Sequence, residues 1–223
     1  MSYMATNKVI INVGGTFYDS LEDFGLAIKN TDYIGDAVQG ESLAWVPGRS
    51  GPLDFTDDVF GAQYYLYREI KIEFGGLQEP EDWDEWISDF RNLFDGKQIK
   101  LIFATDMDWY YQGRASIRDF QHKRALGTFQ LVIPYADPFK HRDRSLSFAS
   151  TELGTVMNLY NKWERVVPTI VTDASVTVTL GTTTKTIAAG THTDPDFTLD
   201  AGTNQMSFVG AANVNISYRE GSL

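Results

Sequence analysis

In five separate stretches of the chain, apolar residues recur at every second position. No other feature constrains the fold as much. Ile70, Ile72 and Phe74 flank Lys71 and Glu73; Ile99, Leu101 and Phe103 enclose Lys100; Phe129, Leu131 and Ile133 enclose Gln130. Further on, Val176, Val178 and Leu180 alternate with threonines, and Val214, Ile216 and Tyr218 with Asn215 and Ser217. Successive side chains of a strand point to opposite faces, so each stretch predicts a strand with one buried face. The apolar run 9–13 ends at Gly14-Gly15, a strand followed by a turn, and Gly75-Gly76 also reads as a turn.

One stretch keeps a different period. Trp83, Trp86, Ile87, Phe90, Leu93 and Phe94 recur at three and four, which predicts a helix over 81–94 with a single apolar stripe. Pro80 stands at its start, and Glu81, Asp82, Asp84 and Glu85 crowd the turns where the helix dipole favours anions. Gly96 follows as a C-terminal stop. Residues 150–163 also contain a helical spacing, but Gly154, Asn158, Asn161 and the following Val166-Val167 favour extended structure. The chain is therefore read as mainly β: a β-sandwich-like domain with one α-helix packed on it, and a small β-sandwich module after it.

That division comes from composition. Residues 168–223 hold 12 of the 20 threonines but only three of the 30 aromatics, Phe197, Phe208 and Tyr218. Threonine suits a pleated surface, so the segment reads as strand around a small core. We place a first domain at 1–145 and a second, Thr-rich one at 146–223.

Several classes of function are excluded or disfavoured. With no cysteine there is no disulfide framework, thiol nucleophile or thiolate metal site. Nineteen basic residues against thirty acidic ones give a net charge of −11, the wrong sign for a binder of phosphate backbones. The four cations Arg114, Arg118, Lys123 and Arg124, interleaved with Trp109, Tyr110, Tyr111 and Phe120, read as a solvated strand face in that negative field. No apolar run reaches the roughly 18 residues of a membrane span, and the first residues lack the pattern of a signal peptide. His122, His141 and His192 do not pair at metal-ligand spacing, and no phosphate-loop, dinucleotide or nucleophile-elbow motif occurs. His192 reads as part of a polar loop. The carboxylates Asp106 and Asp108, on one face of an expected strand, and Asp57-Asp58 have the chemistry for acid–base work, but no motif supports it. We expect no enzyme, no cofactor and no metal.

The stretch Val46-Pro47-Gly48-Arg49-Ser50-Gly51-Pro52-Leu53-Asp54 resembles a Pro-Gly-Arg-x-Gly-x-Leu-Asp motif of the distal tail proteins of long-tailed, non-contractile phages, the Dit or phage tail component family. Two further matches follow in order. One runs from Trp109-Tyr110-Tyr111-Gln112-Gly113-Arg114 through Gly127-Thr128-Phe129 to Ala136-Asp137-Pro138-Phe139-Lys140; the other joins Leu199-Asp200-Ala201-Gly202-Thr203-Asn204 to Ser217-Tyr218-Arg219-Glu220-Gly221. The chain departs from the family at Asn158-Leu159-Tyr160-Asn161, where an Asn-x-Gly is expected, so its galectin-like C-terminal sandwich is read as reduced.

The resemblance implies a virion protein of the tail tip, made in the host bacterial cytoplasm. Six copies would form a ring through the first domain, joining the tail tube protein to tail-tip and receptor-binding proteins. DNA would pass through the lumen without specific binding, which an acidic surface favours, and no membrane would be involved. For assembly we single out Pro47, Gly48, Arg49, Gly51 and Asp54. Pro47 fixes φ, the glycines permit positive φ, and Arg49 offers five donors to a neighbour's carboxylates. The acidic run 79–85 or the pair Asp57-Asp58 is the candidate counterpart. The competing reading is a carbohydrate-binding adhesion module acting through the C-terminal sandwich. From residue 168 onward three aromatics leave it few rings to stack on sugars.

Overall fold

A computed structural model describes residues 7–56, 58, 64–77 and 82–223. Among the described residues the protein is mostly β, with several antiparallel sheets and one long α-helix. It divides into two compact units, Met1–Pro138 and Phe139–Leu223.

In the first unit, β1 (Val9–Val13) turns through Gly14 and Gly15, both at positive φ, into β2 (Thr16–Asp19). On its other side β1 pairs with β8 (Gln98–Phe103), which pairs with β9 (Tyr111–Arg114). A second sheet has the order β10 (Ser116–Lys123), β11 (Leu126–Ala136), β7 (Tyr65–Leu77), β3 (Ala27–Ile28), with β4 (Val38–Gln39) also on β7. The alternating residues face one another in register. Phe74 lies opposite Phe129, Ile72 opposite Leu131 and Ile70 opposite Ile133; in the first sheet Val9, Ile11 and Val13 lie opposite Phe103, Leu101 and Ile99. Apart from half-buried Val13 these residues are buried in one shared core, so the period-two pattern is the physical origin of both sheets. Gly75 and Gly76 do not form the expected turn. They lie inside β7, where Gly75 pairs with Ala27 and an added Cβ at Gly76 would meet the Leu26 side chain.

The helix α1 spans Trp83–Phe94. Residues 79–81 lie outside the described residues. Trp83, Ile87, Phe90 and Phe94 are buried, while Trp86 and Leu93 are half-buried at the edge of the stripe. Trp86 still stacks on Phe90 (5.3 Å), and Phe90 meets Phe129 of the sheet at 4.9 Å. The helix stops at Gly96 (φ +71°), as a C-terminal glycine should. The Gly96 N–H donates to the Ala115 carbonyl, and the Ile117 N–H donates to the Asp95 carboxylate (both 2.9 Å), stitching the helix end to β10.

The second unit contains two four-stranded sheets. One has the order β12 (Lys140–Ser150), β19 (Ala212–Ser222), β14 (Thr169–Thr172), β17 (Gly190–Thr193); the other has β13 (Thr155–Asn161), β18 (Gly202–Val209), β15 (Val176–Leu180), β16 (Thr183–Ile187). Ile170, Val214 and Ile216 from the first meet Leu159, Val178, Met206 and Phe208 from the second in one core, the arrangement of a sandwich. Segment 150–163 is extended over β13, as its sequence suggests. Residue 145 falls in the middle of β12, whose eleven residues pair with β19 without a break. The compact units accordingly divide earlier, after Pro138.

Candidate functional site

The motif around Arg49 lies on a small hairpin of β5 (Leu43–Ala44) and β6 (Leu53–Asp54). A knot of hydrogen bonds closes its base. The Phe55 N–H donates to the Ser42 carbonyl (2.8 Å), and the Ser42 N–H donates to the Thr56 hydroxyl (3.0 Å). Thr56 in turn donates to the Asp54 carboxylate through both its hydroxyl (2.6 Å) and its N–H (2.9 Å). These donations, the hydroxyl first, hold the Asp54 carboxyl below the usual carboxylate range. Just before the hairpin the chain presses on an aromatic ring: a Cβ added to Gly40 would lie 1.9 Å from the Tyr64 ring.

The tip is turned by Gly48 (φ +84°) and Gly51 (φ +87°), with the Arg49 N–H donating to the Val46 carbonyl (3.2 Å). Thus Pro47, Gly48, Arg49 and Gly51 come together at an exposed tip, whereas Asp54 stands at the base and serves the hairpin itself. Among the described residues the Arg49 guanidinium has no partner. The hairpin also exposes Leu43, Val46 and Phe55, and above all Trp45, which is 74% exposed. Sequence reasoning missed Trp45. The signal was present in Ala44-Trp45-Val46, an apolar run leading directly into a polar turn. Two short strands with such a surface are marginal alone in water, and exposed apolar clusters mark interaction surfaces.

Of the counterparts proposed for Arg49, residues 57 and 79–81 lie outside the described residues. Asp82, Asp84 and Glu85 stand at the start of α1, with Asp84 and Glu85 in its first turn.

The other candidate chemistry resolves into structure. Asp106 and Asp108 lie in the connection between β8 and β9, not on a strand; there the Asp106 N–H donates to the Phe103 carbonyl (2.9 Å). Trp109 and Tyr110 are buried, and Phe120 packs on Trp83 (5.9 Å), so these rings belong to the interior of the unit and not to a nucleic-acid platform. Arg114 donates to the Gly96 carbonyl at the helix end. The His192 ring bonds the Ala188 carbonyl (2.7 Å).

The glycines of the second motif have a packing role. A Cβ at Gly127 would lie 2.3 Å from the Trp83 ring, and one at Gly113 would lie 2.3 Å from Ile133. Only a residue without a side chain lets α1 and β9 approach β11 so closely.

No family model and no curated protein sequence matches the chain. Among solved structures, its fold is similar to the crystal structure of Dit (gp 19.1) of phage SPP1, described as a paradigm of the hub adsorption apparatus in phages infecting Gram-positive bacteria. The two share 12% identity with a TM-score of 0.62, over 96% of this chain and 99% of that one. The likeness is one of fold. The protein it resembles in fold carries the name of the family that the motifs resemble.

Proposed function

We propose that the chain is a structural hub of a phage tail tip. Copies assemble through the first unit into a ring, a hexamer, that joins the tail tube to tail-tip and receptor-binding proteins and leaves a lumen for DNA in transit. The near-complete likeness of fold to a phage hub protein carries this reading. On this reading the protein belongs to the virion and carries out no catalytic step.

The hairpin supports the reading and supplies its mechanism. A cyclic ring closes through a heterologous contact, in which one patch meets a different patch on the next copy. An exposed tip with a free guanidinium flanked by Trp45 offers the two residue types that most often anchor interfaces. The start of α1, with Asp82, Asp84 and Glu85, offers carboxylates that a guanidinium binds in a bidentate manner.

The test is assembly. Light scattering of the purified protein, alone and with the tail tube protein, should give the mass of six copies. Arg49→Ala should keep the circular dichroism spectrum and weaken assembly by about 2–5 kcal/mol, the cost of opening a buried interfacial ion pair. A wild-type protein that stays monomeric at high concentration even with the tube protein overturns the ring. An Arg49→Ala ring as stable as wild type removes the hairpin tip from the contact.

A further inference from the structure

β7 carries a charge where its pattern calls for an apolar residue. Arg68 stands on the core-facing side of the strand, in line with Ile70, Ile72 and Phe74, and is only 6% exposed. It is the one buried arginine or lysine among the described residues. Among those residues its guanidinium makes no hydrogen bond or ion pair, and its Nε is wholly buried without an acceptor.

An unpaired buried cation is strongly unfavourable, and buried charges in folded proteins are paired. The second unit shows the usual solution, in which the buried Glu220 carboxylate accepts from Arg142 and Arg144. Arg68 has no counterpart of this kind. Tyr111 covers one face of its guanidinium, with Cζ 5.4 Å from the ring centroid. That contact runs through the face of the group, whereas its five N–H donors lie in the plane, so it satisfies none of them. The acids nearest along the strands are engaged or turned away. Asp137 follows Ala136, the residue opposite Arg68, but accepts from Gln112 (3.2 Å). Glu69 is exposed on the other face of β7.

We propose that Arg68 is a socket for a carboxylate side chain, an aspartate or glutamate, of a second copy of this chain. A carboxylate presents two acceptor oxygens in the plane of the fork and neutralises its charge. Three observations point to a second copy as the source. The first is charge: thirty acidic residues against nineteen basic ones give every copy carboxylates in excess of its own cations. The second is the apolar surface around the socket. Leu66, two residues before Arg68 on the same face, is 51% exposed, and Tyr135, beside Ala136, is 73% exposed. A protein partner covers such groups, and a small free anion does not. The third is continuity with the hairpin. Val38 lies opposite Tyr67 and Gln39 opposite Tyr65, and the Gly40 N–H donates to the Tyr64 carbonyl (3.0 Å). The hairpin is therefore rooted on the end of β7 that holds Arg68. The inference rests on the ring reading and adds a buried anchor to its exposed one.

The test uses one substitution that should act in opposite directions on fold and on assembly. Arg68→Met keeps an unbranched apolar stem and removes the charge. In dilute, monomeric protein it should raise the unfolding temperature of the first unit by about 2–4 °C, because an unpaired buried cation is gone. In concentrated protein with the tail tube protein present, it should weaken assembly by about thirtyfold or more in Kd, the lower end for a buried charge pair. Arg68→Lys keeps the charge and locates the partner. A carbodiimide condenses the lysine amine with a touching carboxylate into an amide, with loss of water. Mass spectrometry of mixed isotope-labelled and unlabelled copies then separates a link between copies from one within a copy. We expect the link between copies. Arg68→Met melting below wild type would make Arg68 a structural residue of its own copy and overturn the socket. A ring that forms as tightly in Arg68→Met as in wild type, or an assembled Arg68→Lys ring with no link between copies, overturns the socket and leaves the ring standing. A wild type that does not assemble at all removes the ring, and the socket with it.

Discussion

The two units bury similar strands under different covers. In the first unit, Phe90 and Phe94 of α1, with Trp86 at the margin, meet Tyr18, Phe24 and Phe129 in a cluster of rings 4.7–5.9 Å apart. In the second no α-helix enters the core, and Leu159, Ile170, Val178, Val214 and Ile216 fill the space between two sheets, with Phe197 from a short 3-10 turn, Phe208, and Phe148 and Tyr218 at the margin as its aromatics. Packed sheets lie about 10 Å apart, a gap that aliphatic side chains from two inner faces fill. A helix on a sheet leaves a more irregular gap, and here large rings fill it. The contrast in aromatic and threonine content is thus a consequence of architecture: one unit spends its rings on a helix–sheet seam, and the other turns a Thr-rich face outward.

The largest test of that contrast removes a ring from the seam. Phe90 is fully buried and touches Phe24, Trp86, Phe94 and Phe129. Phe90→Ala should cost about 3–5 kcal/mol, the usual range for a buried aromatic truncated to alanine. Trp86→Ala should cost less, about 1.5–3 kcal/mol, because its ring is half-buried. Calorimetry should show one transition falling while a second stays. Two transitions that fall together would break the comparison, since the units would then unfold as one.

Where side chains alternate in hydrophobicity the fold was legible: β7, β8, β11, β15, β19 and the stripe of α1 all follow the pattern. Two kinds of element were not. β12 has Lys140, Arg142 and Arg144 at alternate positions, so it carries no apolar signal at that end. The reason lies 76 and 78 residues away, where Glu220 accepts from both arginines. The packing role of Gly113 and Gly127 was not legible, because the rings and methyls they make room for come from β11 and α1. The candidate site was half legible: its turn chemistry gave the tip, but the burial of Thr56 and the exposure of Trp45 depend on tertiary structure.

The second test strikes the charged counterpart in the second unit. The Glu220 side chain is fully buried and its Oε2 accepts from Arg142 Nε and Nη2 (3.0 and 2.8 Å) and from Arg144 Nε (2.9 Å). Glu220→Gln keeps the shape and removes the anion, leaving two guanidinium groups without it. Both arginines retain some contact with water, so the expected loss is about 1.5–3 kcal/mol, the range for hydrogen bonds to charged groups. It should appear in the transition that Phe90→Ala leaves alone. A shift in the other transition would assign β12 to the wrong unit.

The smallest expected effect concerns acid. Asp19 is partly buried at the end of β2; that burial acts to raise its pKa, but four contributions outweigh it. Lys8 donates to one oxygen (2.6 Å), the N–H groups of Glu22 and Leu21 donate to the other (3.1 and 2.9 Å), and the Lys8 charge adds attraction. Together they hold the carboxyl below its ordinary value. A group with a lowered folded pKa stabilises the fold above its unfolded value, about 3.9, and that contribution is lost as pH falls through the lower folded value. Asp19→Asn keeps an oxygen for the two N–H groups but removes the charge and the oxygen that accepts from Lys8. At neutral pH it should cost about 0.2–1 kcal/mol, as a surface ion pair does, and the variant and the wild type should converge only as pH falls through the lowered folded value. Asp173 and Asp194 are also held low, by donation from Asn213 and from Lys185, so the second unit keeps its own acid sensitivity in this variant. Unfolding measured from pH 7 to pH 2 should therefore flatten for the first transition only. A first transition as steep in Asp19→Asn as in wild type would place the acid sensitivity of that unit on other carboxylates.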